Sequence, residues 1–307
     1  MDYKIRENLD IKISNGCNLK CAHCCMGDNL KNNEVDFEKI HNLIESNPQI
    51  KEIHLGGGEP LITDEHTKKV LHLIQSFPKI RWKMATNLCY TLTEDRIEVI
   101  RTLYTLKTSF DIGMRFNSVR NLIRWMRNVI YIRNNIRDDI DVICCLTKPT
   151  IRKGAKRLQD LFNKLGLKYK YTPIISSGSY TKNYDDLGIT KEEFHDWLRQ
   201  IIELKDLESN QTFELIYTRN MTACHYGTEC MAVDIDATPV NCSIYEKMYD
   251  NCMVADECLM CDDYKECGGR CVLVPCLYDK DLYAKCKALV DEARDKKEEG
   301  YDLPLFH

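Results

Sequence analysis

The chain has 307 residues, 44% of them hydrophobic, enough for a substantial core in one or two domains. A formal net charge of −4 is too mild to make nucleic acid or a membrane surface the default partner. The N-terminal residues carry no apolar signal-peptide core and no run approaches the length of a transmembrane helix, so a cytoplasmic protein that binds neither is expected.

From residue 10 to about residue 205, short β-branched stretches alternate with amphipathic ones. Strands are predicted near residues 10–14, 51–56, 81–86, 105–112, 140–147 and 168–175. Helices are predicted near 36–46, 63–76, 93–102, 118–134 and 151–165, with a further one at about 190–205. Asp36 and Thr93 sit where N-caps belong, although Thr93 has Arg96 rather than Glu at N3 and so no capping box. Gly166 is placed to end the helix before it. This alternation predicts parallel strands with right-handed crossovers, in an open sheet or a partial barrel. In either, ligands gather at the C-terminal ends of the strands.

After about residue 215 the character changes. Ten of the seventeen cysteines lie between 224 and 286, separated by short apolar pieces such as Met231-Ala-Val-Asp-Ile235. Such a segment has little core of its own and needs staples. A charged helix is expected at about 280–299, with Cys286 inside it. Disulfides are rare in the cytoplasm and seventeen is an odd number, so the spacings read mostly as metal ligands, with buried apolar thiols as the remainder.

Two motifs carry the chemistry. Cys17, Cys21 and Cys24 form a C-x3-C-x2-C loop directly after the first predicted strand. A structural zinc site wants four protein ligands, so three thiols leave one metal position open. The run Gly56-Gly-Gly-Glu-Pro60 ends the second predicted strand, where glycine lets a backbone approach a ligand closely; alone, it is equally a tight turn beside a solvated glutamate.

With Gly57-Gly-Glu59 about thirty residues after the cysteines, the chain resembles the radical S-adenosylmethionine (radical SAM) superfamily. The resemblance implies a [4Fe–4S] cluster on Cys17, Cys21 and Cys24. S-adenosylmethionine would chelate its fourth iron, and a deoxyadenosyl radical would abstract a hydrogen atom. It further implies that Gly57, Gly58 and Glu59 hold the methionine amine. Thr86 and Asn87 match a Ser/Thr-Asn pair, and Ser109 and Asp111 match an S-x-D stretch suited to ribose hydroxyls. Arg120 would pair with the methionine carboxylate, with Arg115 competing, and His23 would pack near the adenine. Taken singly, each of these contacts reads equally as a surface or capping role. Cys25 is expected to be no ligand, since a fourth protein thiolate would block the open iron.

Cys224-x5-Cys230-x11-Cys242, then Cys258-x2-Cys261-x5-Cys267-x3-Cys271 and Cys286, resemble the SPASM domain of the same superfamily. That implies two auxiliary [4Fe–4S] clusters, one on Cys224, Cys230, Cys242 and Cys271, the other on Cys258, Cys261, Cys267 and Cys286. Ala237 stands where the pattern has glycine, and zinc is the alternative occupant. Three [4Fe–4S] clusters and S-adenosylmethionine are thus the expected cofactors. Cys25, Cys89, Cys144, Cys145, Cys252 and Cys276 are left over. Cys89, Cys144 and Cys145 are candidate catalytic hydrogen donors to a substrate radical, against the plainer reading as apolar fillers; by alternation one of the last two points into the barrel.

Members that oxidise a sulfatase residue carry an Asp base after the third ligand of the first auxiliary cluster. Here that position is Ser243, a poor base, which argues against that activity; Asp234, Asp236 and Tyr245 lie nearby in sequence. With the first ligand at residue 17, no leader-binding domain is expected ahead of it.

The expected architecture is α/β, a partial (β/α)6 TIM-like barrel over residues 1–215 followed by a small cysteine-rich iron–sulfur (SPASM) domain over 216–307. The resemblance implies modification of a ribosomally made peptide or protein by cross-linking, oxidation or epimerisation, with a flavodoxin or ferredoxin as electron donor. A dehydrogenase or mutase acting on a small metabolite is the alternative enzyme. A non-catalytic zinc-binding or redox-carrier protein is the alternative of another class.

Overall fold

A computed structural model describes residues 5–27, 33–111, 113–116, 118–174, 177–204, 230–240, 256–262, 276 and 279–298. The chain divides into two compact units. The first comprises Met1–Asp141, Ser177–Lys182 and His225–Cys252; the second comprises Val142–Ser176, Asn183–Cys224 and Met253–His307.

In the first unit, strands β1 (Asn8–Ser14), β2 (Glu52–Gly57), β3 (Arg81–Ala85) and β4 (Thr105–Ser109) alternate with helices α1 (Phe37–Glu45), α2 (Asp64–Ser76), α3 (Glu94–Thr102) and α4 (Val119–Asn135). The strands lie in the order β4-β3-β2-β1. All three pairings are parallel, as βα alternation requires. Asp36 caps α1 by accepting from the N–H groups of Glu38 and Lys39. Thr93 occupies the N-cap of α3, but its hydroxyl makes no capping bond.

The sheet has two unlike faces. Leu9, Ile11 and Ile13 of β1, Ile53 and Leu55 of β2, Trp82 and Met84 of β3 and Leu106 of β4 are buried. The alternate positions Asp10, Lys12, His54, Lys83 and Lys107 are half-buried and charged or polar. Strict alternation puts these on the opposite face.

The apolar run Met231–Val233 lies in β7 (Cys230–Val233), which pairs parallel with β1 on its free edge. β8 (Pro239–Val240) returns antiparallel to β7. The first part of the cysteine-rich segment therefore extends the sheet: Met231, Ala232 and Val233 are all buried, and a short apolar stretch gains more from that edge than from standing alone. Lys12 of β1 and Asp234 just past β7 form an ion pair at 2.7 Å.

The second unit contains β5 (Ile140–Leu146, from Val142 onward) and its neighbour β6 (Lys168–Pro173). Around them are α5 (Lys148–Lys153), α6 (Ala155–Leu165), α8 (Tyr184–Leu187), α9 (Lys191–Glu203), α10 (Asp256–Leu259) and α11 (Lys280–Glu298); the short α7 (Ser179–Lys182) belongs to the first unit. The single helix expected at 151–165 is two, because Gly154 takes a positive φ of 81° and breaks the run. Gly166 ends α6 in the left-handed conformation, as its position predicts. β4 stops at Ser109, short of the predicted residue 112, because the chain turns at Asp111, whose carbonyl accepts from the N–H groups of Met114 and Arg115. Among the described residues, no helix is long and apolar enough to cross a membrane.

Candidate functional site

The cysteine loop leaves the C-terminal end of β1, and the Gly57–Glu59 turn leaves the end of β2 beside it. Ser14 lies opposite Gly57 in the register, after an irregularity between Lys12 and Ser14. The N–H of Gly58 donates to the Ser14 carbonyl at 2.6 Å, and that of Glu59 to the Gly16 carbonyl at 2.7 Å. A Cβ on Gly57 would sit 2.2 Å from the Ser14 oxygen, and one on Gly58 2.2 Å from the Gly16 oxygen. Both glycines thus allow a close approach, and the partner is the entry to the cysteine loop.

Glu59 is fully buried. Its Oε1 accepts from Thr86 Oγ1 at 2.7 Å and from the Leu61 N–H at 3.1 Å, and its Oε2 accepts from the Asn87 N–H at 2.7 Å. Burial pushes its carboxyl up from the ordinary value, and the three donors pull against that. Thr86 Oγ1 also bonds the Tyr90 hydroxyl at 2.9 Å. Asn87 reaches the cysteine loop, its Nδ2 donating to Asn18 Oδ1 at 2.7 Å and lying 3.8 Å from Cys17 Sγ. Leu88, next in this turn, has a φ of +52°, strained for a branched side chain.

On the other side of the loop is a cluster of three ionisable side chains. His23 Nε2 lies 3.1 Å from Asp111 Oδ2, and Arg115 Nε donates to the same oxygen at 2.8 Å. Asp111 is fully buried and His23 nearly so. His23 Nδ1 is buried without a hydrogen-bond partner. The loop carrying Arg115 also holds the cysteine loop directly: the Ala22 N–H donates to the Met114 carbonyl at 3.2 Å, and Cys21 Sγ lies 4.0 Å from the Arg115 carbonyl.

The three cysteines are half-buried and unpaired by disulfides. Burial pushes the Cys21 thiol up to about 12 against the pull of Arg115, and it raises that of Cys17. Cys17 Sγ nevertheless receives N–H donors, from Leu19 at 3.4 Å and from Asn87. Donors aimed at sulfur suit a thiolate, and a buried thiolate needs a cation beside it. The donor set therefore fits an iron–sulfur group, whose binding would displace the thiol protons.

A segment distant in sequence closes over the loop's end. The Ser179 N–H donates to the Cys24 carbonyl at 2.9 Å, and Ser177 Oγ to the Cys25 carbonyl at 3.2 Å. A Cβ on Gly178 would lie 2.4 Å from both carbonyl oxygens. Nothing in the local sequence marked Gly178. Asn18 and Tyr90 were also missed, although Asn18 directly follows a cysteine and Tyr90 follows Thr86-Asn87 within four residues.

The other sequence-derived candidates are dispersed. Ser109 ends β4 and is half-buried; Arg120 is exposed in the first turn of α4. Cys89 is buried, with its Sγ 3.6 Å from the Asn121 carbonyl, and burial pushes its thiol up to about 12. Cys25 is half-buried, and burial pushes its thiol up to about 11. In the second unit, Cys144 shares the buried face of β5 with Val142 and Leu146, while Cys145 lies on the alternate, half-buried face. Cys230 begins β7. The N–H of Cys261 donates to the Cys258 carbonyl at 3.2 Å at the end of α10. Cys286 is buried on α11, its thiol pushed up to about 12 by burial. Cys224, Cys242, Cys252, Cys267 and Cys271, with Ser243 and Tyr245, lie outside the described residues.

Residues 11–138, which contain both motifs, match the model of the Radical SAM superfamily. The part of the chain that carries both motifs is thus similar to radical SAM enzymes. Among solved structures it is similar to native anSMEcpe with bound AdoMet and Cp18Cys peptide, at 14% identity and a TM-score of 0.66, over 95% of this chain and 99% of that one. Native anSMEcpe with bound AdoMet gives 15% identity and a TM-score of 0.67, over 96% and 100%. Streptococcus suis SuiB bound to precursor peptide SuiA gives 12% identity and a TM-score of 0.57, over 92% and 67%. At these identities the likeness is one of fold, an α/β partial barrel with a parallel sheet. No curated protein matches the chain.

Proposed function

We propose that the protein modifies a ribosomally made peptide or protein side chain, starting from hydrogen abstraction at an unactivated C–H. When bound, a [4Fe–4S] cluster and S-adenosylmethionine supply the deoxyadenosyl radical for that step. The observation that carries this reading is the convergence of Cys17, Glu59, Asn87 and Asp111 at the C-terminal ends of adjacent parallel strands, where such folds gather ligands.

In this reading Cys17, Cys21 and Cys24 hold the cluster and Asn87 steadies the Cys17 sulfur. The backbone of Gly57, Gly58 and Glu59 binds the methionine amine, while the Glu59 side chain keeps that turn in place through Thr86 and Asn87. Ser109 and Asp111 face the ribose. His23, held by Asp111 and Arg115, packs toward the adenine with its unpartnered Nδ1. Arg115 is better placed than the exposed Arg120 for the methionine carboxylate, because it already sits against the cysteine loop.

An auxiliary cluster on Cys224, Cys230, Cys242 and Cys271 would accept the second electron of an oxidation, and one on Cys258, Cys261, Cys267 and Cys286 would relay electrons or stabilise the fold. The cysteine spacing supports them, and so does the fold likeness over nearly the whole chain. A barrel domain over residues 1–215 and a cysteine-rich domain over 216–307 remain the proposed division. The peptide substrate is supported by the peptides bound in the anSMEcpe and SuiB structures.

The test is anaerobic reconstitution with iron and sulfide, followed by S-adenosylmethionine and the peptides encoded beside the gene. Iron content near three clusters, cleavage of S-adenosylmethionine, and either loss of two hydrogens or deuterium uptake by one peptide are expected. A colourless protein, clusters without cleavage, or turnover of small metabolites alone would overturn the reading.

A further inference from the structure

The described residues include seven exposed large hydrophobic side chains, and four of them, Val119, Ile123, Ile130 and Tyr131, lie on α4. Val119 is 73% exposed. Helical spacing of four, seven and eleven residues puts Val119, Ile123, Met126 and Ile130 in one row along this helix. The adjoining row, one residue on, is Arg120, Arg124, Arg127 and Tyr131. Arg133 adds a further cation, and α4 contains no Asp or Glu. The inward face is already satisfied by buried Trp125, Val129 and Ile132. An apolar row beside a guanidinium row thus runs for about 16 Å along the outer face of one helix. It does so in a chain whose net charge is −4.

The position of this helix matters. Its first turns touch the cysteine site through a short series of contacts. Cys89 Sγ lies 3.6 Å from the Asn121 carbonyl, the Cys89 N–H donates to Asn87 Oδ1 at 2.7 Å, and Asn87 Nδ2 lies 3.8 Å from Cys17 Sγ. A body resting on the outer face of α4 is separated from Asn121 by one helix, about 10 Å across. A narrow, charge-steered patch is what transient electron-transfer partners use, since they need contact and prompt release more than affinity.

We propose that the outer face of α4 docks an acidic electron-carrier protein, which delivers an electron through Asn121, Cys89 and Asn87 to the cluster at Cys17, Cys21 and Cys24. The proposal rests on the cluster assignment above. Carboxylates of the carrier meet Arg124 and Arg127, and its apolar rim covers Val119, Ile123 and Ile130. One electron passes: the carrier's flavin hydroquinone becomes the semiquinone, and the oxidised cluster becomes the singly reduced cluster. No bond is made or broken.

The probe is an acidic flavodoxin, used as the hydroquinone with the reconstituted enzyme. Its affinity is read by fluorescence titration at low and high salt, and the rate of cluster reduction by stopped flow, with dithionite as the small-molecule control. The variants are R124E/R127E and I123S/I130S. Charge reversal should weaken binding and slow flavodoxin-driven reduction by about tenfold or more, with binding also weakened by salt, while dithionite reduction stays within about twofold. The serine pair should weaken binding with its salt dependence unchanged. Flavodoxin binding and reduction that ignore both pairs would overturn the proposal. So would variants that keep flavodoxin reduction but lose binding to a precursor peptide or to anionic lipid vesicles. Should charge reversal cost iron, R124Q/R127Q decides on the same two readouts. A wild-type enzyme that dithionite cannot reduce would sink the cluster assignment, whereas flavodoxin binding can be scored without it.

Discussion

Glu59 and Asn87 are joined by a 2.7 Å hydrogen bond from a backbone N–H to a fully buried carboxylate, which ties the turn after β2 to the turn after β3. The same carboxylate holds Thr86 and Leu61, so three donors depend on one side chain. In Glu59→Gln, the amide oxygen can serve Thr86 and Leu61, but its NH2 then faces the Asn87 N–H. A buried donor left unpaired costs about 1–3 kcal/mol. Chemical denaturation should show a loss of that size, and iron bound per chain should fall with it. Unchanged stability would mean the amide finds another arrangement.

Gly57 and Gly113 make a matched pair. Both have positive φ, at 116° and 74°, but a Cβ on Gly57 meets backbone at 2.2 Å whereas one on Gly113 meets nothing within 4 Å. Gly113→Ala should cost about 1–2 kcal/mol from the left-handed backbone alone and leave iron binding intact. Gly57→Ala should cost more than that and displace the Gly57–Glu59 turn from Ser14, abolishing S-adenosylmethionine cleavage. Thermal melting with iron analysis separates the two.

Single Cys→Ser changes at positions 17, 21 and 24 should each remove the electron paramagnetic resonance signal of the reduced site cluster and all cleavage of S-adenosylmethionine. Cys25→Ser should retain both, because the Cys25 contact described at the loop's end is its backbone carbonyl, which any residue supplies to Ser177. Loss of the signal in Cys25→Ser would place that thiol among the ligands.

The Lys12–Asp234 ion pair has a pH signature. Burial of Asp234 works to raise its carboxyl, but Lys12 and the Ile235 N–H outweigh it and hold the folded value below the ordinary 3.8. The ionised carboxylate therefore stabilises the fold at pH above that value, and the contribution is lost as pH falls through the lower, folded value. Asp234→Asn should cost about 1 kcal/mol at neutral pH, the upper range for a partly exposed pair. The difference from wild type should vanish below the folded value. Denaturant titrations from neutral to strongly acid pH would show it, and a difference independent of pH would refute the ionic account.

Much of the βα framework was legible because it rests on local periodicity. Alternating residues such as Ile53, His54 and Leu55 mark a strand whichever partner it finds, and Asp36 caps a helix from its own neighbours. Boundaries were less legible where a single backbone conformation decides them. Gly154 splits one expected helix in two, and the turn at Asp111 ends β4 early. The run Met231–Val233 reads as a small apolar piece, and only the free edge of β1 makes it part of the sheet.

The site divides in the same way. The family resemblance joined Cys17, Cys21 and Cys24 to Gly57, Gly58 and Glu59, because a cysteine loop and a glycine turn are local patterns that the sequence displays directly. That the Glu59 carboxylate holds Thr86 and Asn87, why Gly178 must lack a side chain, and that Asp111 meets His23 are matters of long-range contacts. They were decided only when parallel pairing set the ends of β1, β2, β3 and β4 side by side. The sequence determined which chemistry the chain can carry, since that lies in residue type and local spacing. The tertiary structure decided which groups hold that chemistry in place, since buried hydrogen bonds between distant residues form only in the folded chain.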